Sequence, residues 1–471
     1  MSAEDRTGGD RTGGDRTGGD RTRGGGTPRR IRTEVCVVGG GPGGLALARA
    51  LARLGREAVV VERRDPARSA GPAFRGESVS PDGVRLLDEL GVLGGLRAAG
   101  AVHRVDRLEI QDAGRRVLDV RFADFPYAYR HPVEIAQPAL RFALAAPVAL
   151  PGRCTVLAPA TAIALLGAGR TVTGVRASTP GGPVEITAAL TVGADGRYSD
   201  VRRMAGLGVH ARRTPLERDV IWLKLASPQG WDRRAYRVRI SRGSHGLFLP
   251  STDGTVRIGL NIPKGGLRAL RSGGAGPAVL RDRLAELAPE AADVLSEGLR
   301  DWSDTVLLDI FTTRVARWWA PGVVLIGDAA HTLSPVLGQG VNHALADAVA
   351  LAPLVADALE NGAARPVGRT VPDGVLERFQ RGRERDVARS RALQLRQERM
   401  FTLAAPAAAV VRRSVYRALN SSRTLQRRVL APAYFPGQRP LPRAAAAAAA
   451  AAGVPLAAVP LAAVPEEGKP R

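Results

Sequence analysis

The sequence predicts an α/β domain, a largely antiparallel β-sheet domain inserted into it, and helices towards the C-terminal end. A glycine-rich turn, Gly39–Gly44, stands between a short apolar strand and an Ala/Leu-rich helix. Short strand-like runs separated by turn residues dominate the middle of the chain, which is typical of an antiparallel sheet. Residues 375–430 read as helical.

The first segment reads as strand, turn, helix and strand. Glu34–Val38 is a short apolar strand, and Leu45–Leu54 is a helix rich in Ala and Leu. Ala58–Val61 is a continuous apolar run, the pattern of a strand buried in a parallel sheet. A further helix is predicted over 81–90 by its start and stop signals.

The middle of the chain reads as hairpins and short strands. Hairpins are predicted over Arg104–Phe122 and Thr155–Ala177, with turns at Asp112–Gly114 and Gly167–Gly169. Other strand-like runs are Ala235–Ile240, Thr255–Ile262 and Thr305–Phe311. We therefore predict a second, largely antiparallel sheet. Val323–Ile326 is again a continuous apolar strand, and a long helical stretch begins at about Gly340.

Composition and charge are those of a globular protein with a coding bias. The chain has 471 residues, 45% of them hydrophobic, and a net charge of +23. Only three of the 68 basic residues are lysine, so the charge reflects GC-rich coding rather than nucleic-acid binding. Residues 375–430 hold 14 arginines and 4 acidic residues, a difference of +10. We interpret this excess as solvated helix faces, with an acidic partner or an anionic membrane surface as the lesser alternative.

Cysteine usage and the two ends of the chain predict a cytoplasmic protein. Cys36 and Cys154 form neither a disulfide framework nor a metal-ligand spacing, which fits a reducing compartment. The first 30 residues are polar, contain a repeated Asp-Arg-Thr-Gly-Gly pentapeptide and lack a signal-peptide pattern. They and the Ala/Pro-rich end have no apolar face to bury and are predicted to be disordered.

The turn carries the strongest chemical signal. Gly39, Gly41 and Gly44 match G-x-G-x-x-G in the required strand–turn–helix context, with Gly43 in the same turn. Gly39 permits the tight turn, Gly41 lets the backbone approach a pyrophosphate, and Gly44 allows close packing of helix on strand. Glu62, at the end of the second strand, occupies the place of the carboxylate that binds a ribose 2′-OH. These residues predict a Rossmann-type dinucleotide site without distinguishing NAD from FAD.

Two later motifs make that distinction. Gly193–Ser199 follows an apolar strand, and Gly327–His331 follows Val323–Ile326 and continues to Gly338–Asn342. With them the chain resembles the FAD-dependent aromatic-ring monooxygenases of the para-hydroxybenzoate hydroxylase type. The resemblance spans roughly residues 33–360, with three motifs in that family's order and at its approximate distances. It implies a Rossmann-type FAD-binding domain with an inserted substrate-binding sheet domain and C-terminal helices.

The resemblance also implies which residues contact FAD. Glu62 would hold the adenosine ribose, and the adjacent Arg63 is included among the cofactor contacts. Arg75 matches the arginine that reaches FAD after the second strand. Gln137 matches the glutamine that contacts the cofactor at the start of a helix. Arg141 would pair with the pyrophosphate or close the site.

Further cofactor contacts are implied later in the chain. Asp195 belongs to the motif implicated in FAD and NAD(P)H interaction, with helix capping as the alternative. Asp328 would bind the ribityl chain. Gly340, Val341 and Asn342 would present backbone N–H groups to the pyrimidine edge of the isoalloxazine. A helix N-terminus there stabilises the anion of reduced flavin.

The implied function is a hydroxylase. NADPH or NADH would reduce FAD without a dedicated nucleotide domain, and O2 would form a flavin C4a-hydroperoxide that passes one oxygen to an aromatic or polyketide-like small molecule. The antiparallel sheet would form the pocket floor. The candidate pocket residues are Tyr127, Trp222, His245 and Phe248. His331 is interpreted as structural, and no catalytic base or metal site is assigned.

Two alternatives stay open. An FAD-dependent reductase of prenyl or polyene groups would share the fold and place its Arg-rich helices at a membrane. A non-catalytic FAD-fold binding protein is the other. A halogenase would need a lysine near the start of the chain, and the first lysine is Lys224. No nucleic-acid recognition module is apparent.

The predicted domains follow these boundaries. They are a disordered repeat tail over 1–30, an FAD-binding domain over 31–103, 131–208 and 312–365, a substrate domain over 104–130 and 209–311, C-terminal helices over 366–430, and a disordered Ala/Pro-rich tail over 431–471.

Overall fold

A computed structural model describes residues 28–65, 77–146, 152–241, 244–273, 276–335, 338–361, 370–402 and 405–441. The strands are β1 (Arg29–Val38), β2 (Ala58–Val61), β3 (Ser78–Val79), β4 (His103–Arg104), β5 (Arg107–Asp112), β6 (Arg115–Arg121), β7 (Val133–Glu134), β8 (Cys154–Leu157), β9 (Thr161–Ala168), β10 (Thr171–Thr179), β11 (Gly182–Gly193), β12 (Ala211–Pro215), β13 (Arg218–Ala226), β14 (Ala235–Ser241), β15 (Ser244–Pro250), β16 (Thr255–Pro263), β17 (Val306–Leu308), β18 (Phe311–Val315), β19 (Trp319–Ala320) and β20 (Val323–Leu325). The helices are α1 (Pro42–Arg53), α2 (Pro81–Glu89), α3 (Leu93–Ala98), α4 (Gln137–Ala145), α5 (Asp200–Met204), α6 (Gly266–Ser272), α7 (Ala278–Leu287), α8 (Ala292–Gly298), α9 (Gly340–Glu360), α10 (Asp373–Thr402), α11 (Pro406–Ser421) and α12 (Arg423–Tyr434).

The larger sheet is parallel at its centre. Its order is β19-β20-β11-β1-β2-β8, with β10 and β9 extending from β11. β20, β11, β1, β2 and β8 run in the same direction. The register pairs Val38 with Val61 and Gly193, and Gly193 with Leu325. The carboxyl ends of four strands therefore meet at one edge, where open α/β sheets bind their ligands.

Apolar side chains explain this parallel sheet. All four residues of β2 are buried, as the continuous apolar run predicts. Helix α1 packs against the sheet with ten buried residues and begins at Pro42, earlier than predicted, because proline is suited to the first helical turn. β1 begins at Arg29, because Arg29 and Arg30 already pair with β11. The predicted tail over 1–30 thus extends too far, and residues 1–27 lie outside the described residues.

The second sheet has the order β17-β13-β16-β15-β14-β5-β6. Every pairing in it is antiparallel except that of β14 with β5. The hairpin predicted over Arg104–Phe122 is confirmed as β5 and β6. β9 and β10 form the other predicted hairpin, which joins the larger sheet. All seven strands of the second sheet lie within 104–130 and 209–311.

Helices cover both faces of the second sheet. α7 and α8 supply leucines to the apolar cluster on one face, together with Phe248. α10, α11 and α12 supply aromatic and leucine side chains on the other face. Arg412 of α11 is buried and forms an ion pair of 2.8 Å with Asp112 at the end of β5. The Arg-rich segment is therefore tied to the sheet.

The chain stays ordered beyond the predicted start of the C-terminal tail at residue 431. α12 continues to Tyr434, and the buried Phe435 stacks on Phe125 and Tyr127 with centroid distances of 5.0 and 4.3 Å. Aromatic anchors within an Ala/Pro-rich stretch explain why 431–441 packs against the domain. Residues 442–471 lie outside the described residues. Within the described ranges, no helix combines the length and apolarity needed to cross a membrane.

Candidate active site

A cavity of about 670 Å³ lies where the carboxyl ends of the parallel strands face the second sheet. Residues within three positions of the ends of four strands line it, namely Gly39, Glu62, Asp195 and Asp328. The structure therefore brings together the three glycine-containing motifs, which are far apart in sequence. The same cavity continues between the second sheet and the C-terminal helices.

The glycine turn is closely packed on one side and open on the other. Gly39 has φ +113°, and a Cβ there would lie 2.4 Å from the carbonyl oxygen of Ala194. A Cβ on Gly44 would lie 2.0 Å from the carbonyl oxygen of Gly39. A Cβ on Gly41 would meet no atom within 4 Å, although Gly41 lines the cavity. This free space, in front of the unpaired N–H groups of α1, fits a pyrophosphate.

Glu62 joins the end of β2 to the glycine turn. Its Oε2 accepts a hydrogen bond of 2.6 Å from the Gly40 N–H, and its Oε1 accepts one of 2.9 Å from the Arg64 N–H. Arg141 donates from Nε to the Gly40 carbonyl at 2.8 Å, and its Nη2 lies 3.9 Å from Glu62 Oε1. Arg63 is exposed and lines the cavity.

Two other sequence candidates lie in or near this segment. Gln137 is the first residue of α4, is half-buried and lines the cavity. Arg75 lies outside the described residues.

The two later carboxylates differ in their bonding. Asp195 accepts hydrogen bonds of 2.5 Å from Ser199 Oγ and 3.0 Å from the Val201 N–H, so it helps the N-cap residue Ser199 to cap α5. Burial raises the pKa of Asp195. Asp328 Oδ2 accepts one bond of 3.2 Å from Arg197 Nε and is otherwise open to the cavity. Asp195 thus performs the capping role named as its alternative, while also lining the cavity.

The start of α9 contributes backbone rather than side chains. Gly340 and Val341 line the cavity in the first turn of this 21-residue helix, whose N-terminal N–H groups lack intrahelical acceptors. Asn342 turns its side chain away, accepting from the Ser80 N–H at 2.9 Å and donating to the Gly338 carbonyl at 3.0 Å. These bonds fix the start of α9 against the start of α2.

A buried carboxylate holds the loop that carries Asp328. Asp347 accepts hydrogen bonds from the Gly327 N–H at 2.8 Å, His331 Nε2 at 2.7 Å and Arg383 Nε at 2.8 Å. Burial opposes ionisation, but His331 and Arg383 outweigh it and hold the pKa of Asp347 below its ordinary value. His331 is buried and absent from the cavity wall, which agrees with its structural interpretation.

Side chains of the second sheet form an apolar wall. They are Leu108, Ile110, Leu118, Trp222, Val238, Leu247 and Leu249. Trp222 was predicted here, but three other predicted pocket residues are not on this wall. Phe248 points to the opposite face, since strand side chains alternate. His245 is covered by Phe401, and Tyr127 lines a separate cavity of about 740 Å³ beside α2, α9 and α12.

A buried polar cluster at the junction of the two sheets was missed by sequence reasoning. Arg257 Nε lies 3.0 Å from Glu77 Oε2, and Arg257 Nη2 donates to Glu134 Oε2. Ser78 Oγ donates to Glu134 Oε1 at 2.6 Å. Burial raises the pKa of Glu134 and, with the nearby Glu134 carboxyl, that of Tyr236. Glu77, Ser78, Tyr236 and Arg257 line the cavity, so this cluster faces any ligand there.

The cavity wall from the C-terminal helices was also missed. Its members are Leu393, Gln397, Phe401, Tyr416, Leu419, Val429, Leu430 and Tyr434. The spacing of four between Leu393, Gln397 and Phe401 is the signal that places them on one helix face, but many helices carry such a stripe on a core face.

Comparison with known proteins gives consistent results. The family model of the FAD binding domain matches residues 32–367. The chain is 35% identical over 380 residues to the 6-methylpretetramide 4-monooxygenase of Streptomyces rimosus, covering 81% of this chain and 87% of that protein. It is 33% identical to the kynurenine 3-monooxygenase of Salinispora arenicola over 68% of this chain and 72% of that protein. The crystal structure of P. aeruginosa PqsL with 2-aminobenzoylacetate superposes with a TM-score of 0.67 at 23% identity, covering 81% of this chain and 100% of PqsL.

Proposed function

This chain belongs to the FAD-dependent aromatic-ring monooxygenases, with an FAD binding domain over residues 32–367, and we propose that it hydroxylates a fused-ring aromatic molecule of polyketide type. The observation that carries the proposal is the continuity of one cavity from the glycine turn to an apolar wall of the second sheet. Such a cavity can hold the cofactor and a large apolar substrate side by side. The activities named for the relatives support this substrate class.

The same proposal assigns the sequence-predicted residues to FAD. The open space at Gly41 and the N-terminus of α1 would receive the pyrophosphate, and Glu62 with Arg63 the adenosine ribose. Asp328 would hold the ribityl chain. The first turn of α9 would stabilise negative charge on the isoalloxazine through its free N–H groups and dipole. When bound, FAD would take a hydride from NADPH or NADH and deliver oxygen from O2 to the substrate.

The chain's own residues would bind and orient the ring. The flat apolar wall excludes water and packs against an aromatic system. Tyr236 lies on that wall beside the Glu77–Arg257–Glu134 cluster, and the Glu134 carboxyl and the Ser78 hydroxyl are its polar neighbours. A phenolic hydroxyl of the substrate would add a hydrogen bond at this polar edge of the wall.

The activity is tested with FAD-loaded, full-length protein and hydroxynaphthalene and hydroxyanthracene probes. We expect the probes to stimulate NADPH or NADH oxidation in air, with a product that gains one oxygen atom. Removal of O2 should stop turnover after a single reduction of the flavin. Continued anaerobic turnover that saturates a geranylgeraniol probe would instead establish the reductase alternative. Flavin that binds but responds to no probe would favour the non-catalytic alternative.

The placement of FAD is tested with Gly41→Val. A Cβ at this position meets no protein atom within 4 Å, so the fold has room for the added side chain. The side chain would occupy the space of the pyrophosphate, so FAD affinity should fall at least about 100-fold, or about 2.7 kcal/mol. Gly95→Ala on α3 is the matched control, because a Cβ there also meets no atom within 4 Å and Gly95 lies off the cavity. Unchanged flavin affinity in Gly41→Val, with an unchanged melting temperature, would refute the placement.

A further inference from the structure

The C-terminal helices give the cavity a wall that the FAD binding domain does not supply. Leu393, Gln397 and Phe401 of α10 lie four residues apart on one helix face, and α11 adds Tyr416 and Leu419. The match to the FAD binding domain ends at residue 367, before all of these residues. A wall that meets the substrate but lies outside the cofactor domain is well placed to determine specificity.

Two polar side chains interrupt this otherwise apolar wall. Gln397 Nε2 donates a hydrogen bond of 2.6 Å to Tyr416 Oη. That leaves the Gln397 carbonyl as an acceptor and the Tyr416 hydroxyl proton as a donor, neither with a partner in the part of the chain that the structure describes. Reversing the amide gives the same result, since Tyr416 then offers the acceptor and Gln397 the donor. The pair therefore presents at least one donor and one acceptor side by side.

Burial keeps this pair in a single protonation state. Tyr416 is 4% exposed, and burial raises the pKa of its phenol, so the hydroxyl remains a donor over the ordinary pH range. Polar groups buried among leucine and phenylalanine destabilise the fold unless they are matched. Because Gln397 and Tyr416 line the cavity, their free donor and acceptor would face a ligand bound there.

Contacts in the middle and at the C-terminal end of α11 locate the pair along the cavity. Arg412 bonds Asp112 at the end of β5, and Asn420 accepts from the Asp119 N–H of β6. Since Asp119 pairs with Glu109, α11 runs back along this hairpin, and Tyr416 lies midway, level with Ile110. Tyr236 pairs with Leu108, two residues further along β5, or about 7 Å.

The Tyr236 end of the cavity is the one nearest α9. Ser78, which bonds Glu134 beside Tyr236, is the side chain that a Cβ on Gly338 would approach, at 3.2 Å. Gly338 lies two residues before the start of α9. A substrate whose reacting ring lies at this end reaches Gln397 and Tyr416 only through further fused rings.

We propose that Gln397 and Tyr416 recognise an edge of the substrate that carries one acceptor and one donor, a primary carboxamide or a hydroxyl beside a ketone, on a ring remote from the one that is hydroxylated. The position of the reacting ring rests on the proposed function. Recognition by the pair itself does not, because it is a binding property of the cavity. The two side chains would thus select substrates by a group that takes no part in the chemistry.

The test uses FAD-loaded, full-length protein and two probes. One is a hydroxyanthracene with a carboxamide on the opposite terminal ring, and the other has a methyl group in its place. Probe fluorescence measures both dissociation constants. We expect wild type to bind the carboxamide about tenfold more tightly, and Gln397→Leu or Tyr416→Phe to remove that preference while binding the methyl probe as wild type does. With the carboxamide probe, KM should rise in both variants while kcat stays within about threefold.

Matched controls isolate the pair. Gln394→Leu changes a buried amide of α10 that is off the cavity wall, and Tyr127→Phe removes a phenol in the separate cavity. Both should keep the preference. Equal affinities of wild type for the two probes would overturn the proposal, and so would a preference for the carboxamide probe that survives in both variants. If a variant misfolds, the ratio of the two dissociation constants in wild type still decides the test. A preference without stimulated NADPH or NADH oxidation would leave the pair intact and refute the hydroxylase function instead.

Discussion

The cofactor end of the cavity is lined mainly by backbone atoms, and the substrate end is lined mainly by side chains. The cofactor end consists mostly of backbone: glycines that touch other backbone atoms, strand ends in parallel register and two helix N-termini. The substrate end consists of side chains from strands and helices that are distant in sequence. Backbone contacts tolerate few residue types, whereas a side-chain wall can be rebuilt by substitution. One end is thus suited to a fixed ligand and the other to a variable one.

The largest effect should come from adding one methyl group to the cofactor end. In Gly44→Ala the new Cβ would lie 2.0 Å from a backbone oxygen that cannot rotate away, so we expect a loss of about 4 kcal/mol or more and little FAD-containing protein. Gly246→Ala is the matched change in the second sheet. Its Cβ meets only the side chains of Phe248 and Leu287, at 3.0 and 3.2 Å, and should cost about 1 kcal/mol. Equal losses in urea unfolding would contradict the comparison.

The same difference explains what the sequence could predict. Gly39, Gly41, Gly44 and Glu62 form a local motif because one turn and one strand end position them all. The structure brings them to the same edge as Asp328 through parallel register, which continuous apolar strands predict. Gly39 and Gly44 are also fixed by their close approach to backbone atoms. Their spacing therefore does not depend on which molecule binds at the substrate end of the cavity.

The substrate end had no comparable local signal. Tyr236, Gln397 and Tyr416 come from a strand and two helices, and each has the residue type and spacing of an ordinary core position. The prediction of Phe248 as a pocket residue was also wrong, because its neighbours Leu247 and Leu249 on β15 face the cavity and Phe248 faces the opposite side. The Glu77–Arg257–Glu134 cluster could not be foreseen, because its members meet only after the two sheets pack.

Breaking a buried ion pair at the junction of the two ends should cost more stability than breaking an ion pair on the protein surface. Arg257 is buried between Glu77 and Glu134, so Arg257→Met would leave two carboxylates without their cation. We expect a loss of about 3 kcal/mol in the free energy of unfolding at neutral pH. Adding Glu77→Gln and Glu134→Gln to that variant should recover part of the loss, because the buried charges are then removed.

Arg176→Ala is the surface control for this change. Its pair with Glu185 is about half exposed on the arginine side and should contribute less than about 1 kcal/mol. If Arg257→Met were as mild as Arg176→Ala in urea unfolding at the same salt concentration, the junction would be hydrated, and the cluster would not present a dry polar edge to the substrate.

The smallest of these effects concerns two of the buried histidines, His245 and His343. His343, beside the cofactor end, is hydrogen-bonded to Ser390 Oγ at 2.8 Å, whereas neither ring nitrogen of His245 at the substrate end has a partner among the described residues. Burial, assisted by Arg218 and Arg412, lowers the pKa of His245 to about 3. Between pH 6.5 and 3 the unfolded chain therefore binds a proton that the folded chain does not, so stability falls as pH falls. From pH 7 to 5 His245 should account for a loss of about 2 kcal/mol in the free energy of unfolding.

His245→Gln should remove that part of the pH dependence in urea titrations, while the exposed His210→Gln leaves it in place. A pH dependence unchanged by His245→Gln would mean that the interior beneath Phe401 opens to water, and that the substrate end is less tightly packed than its burial indicates.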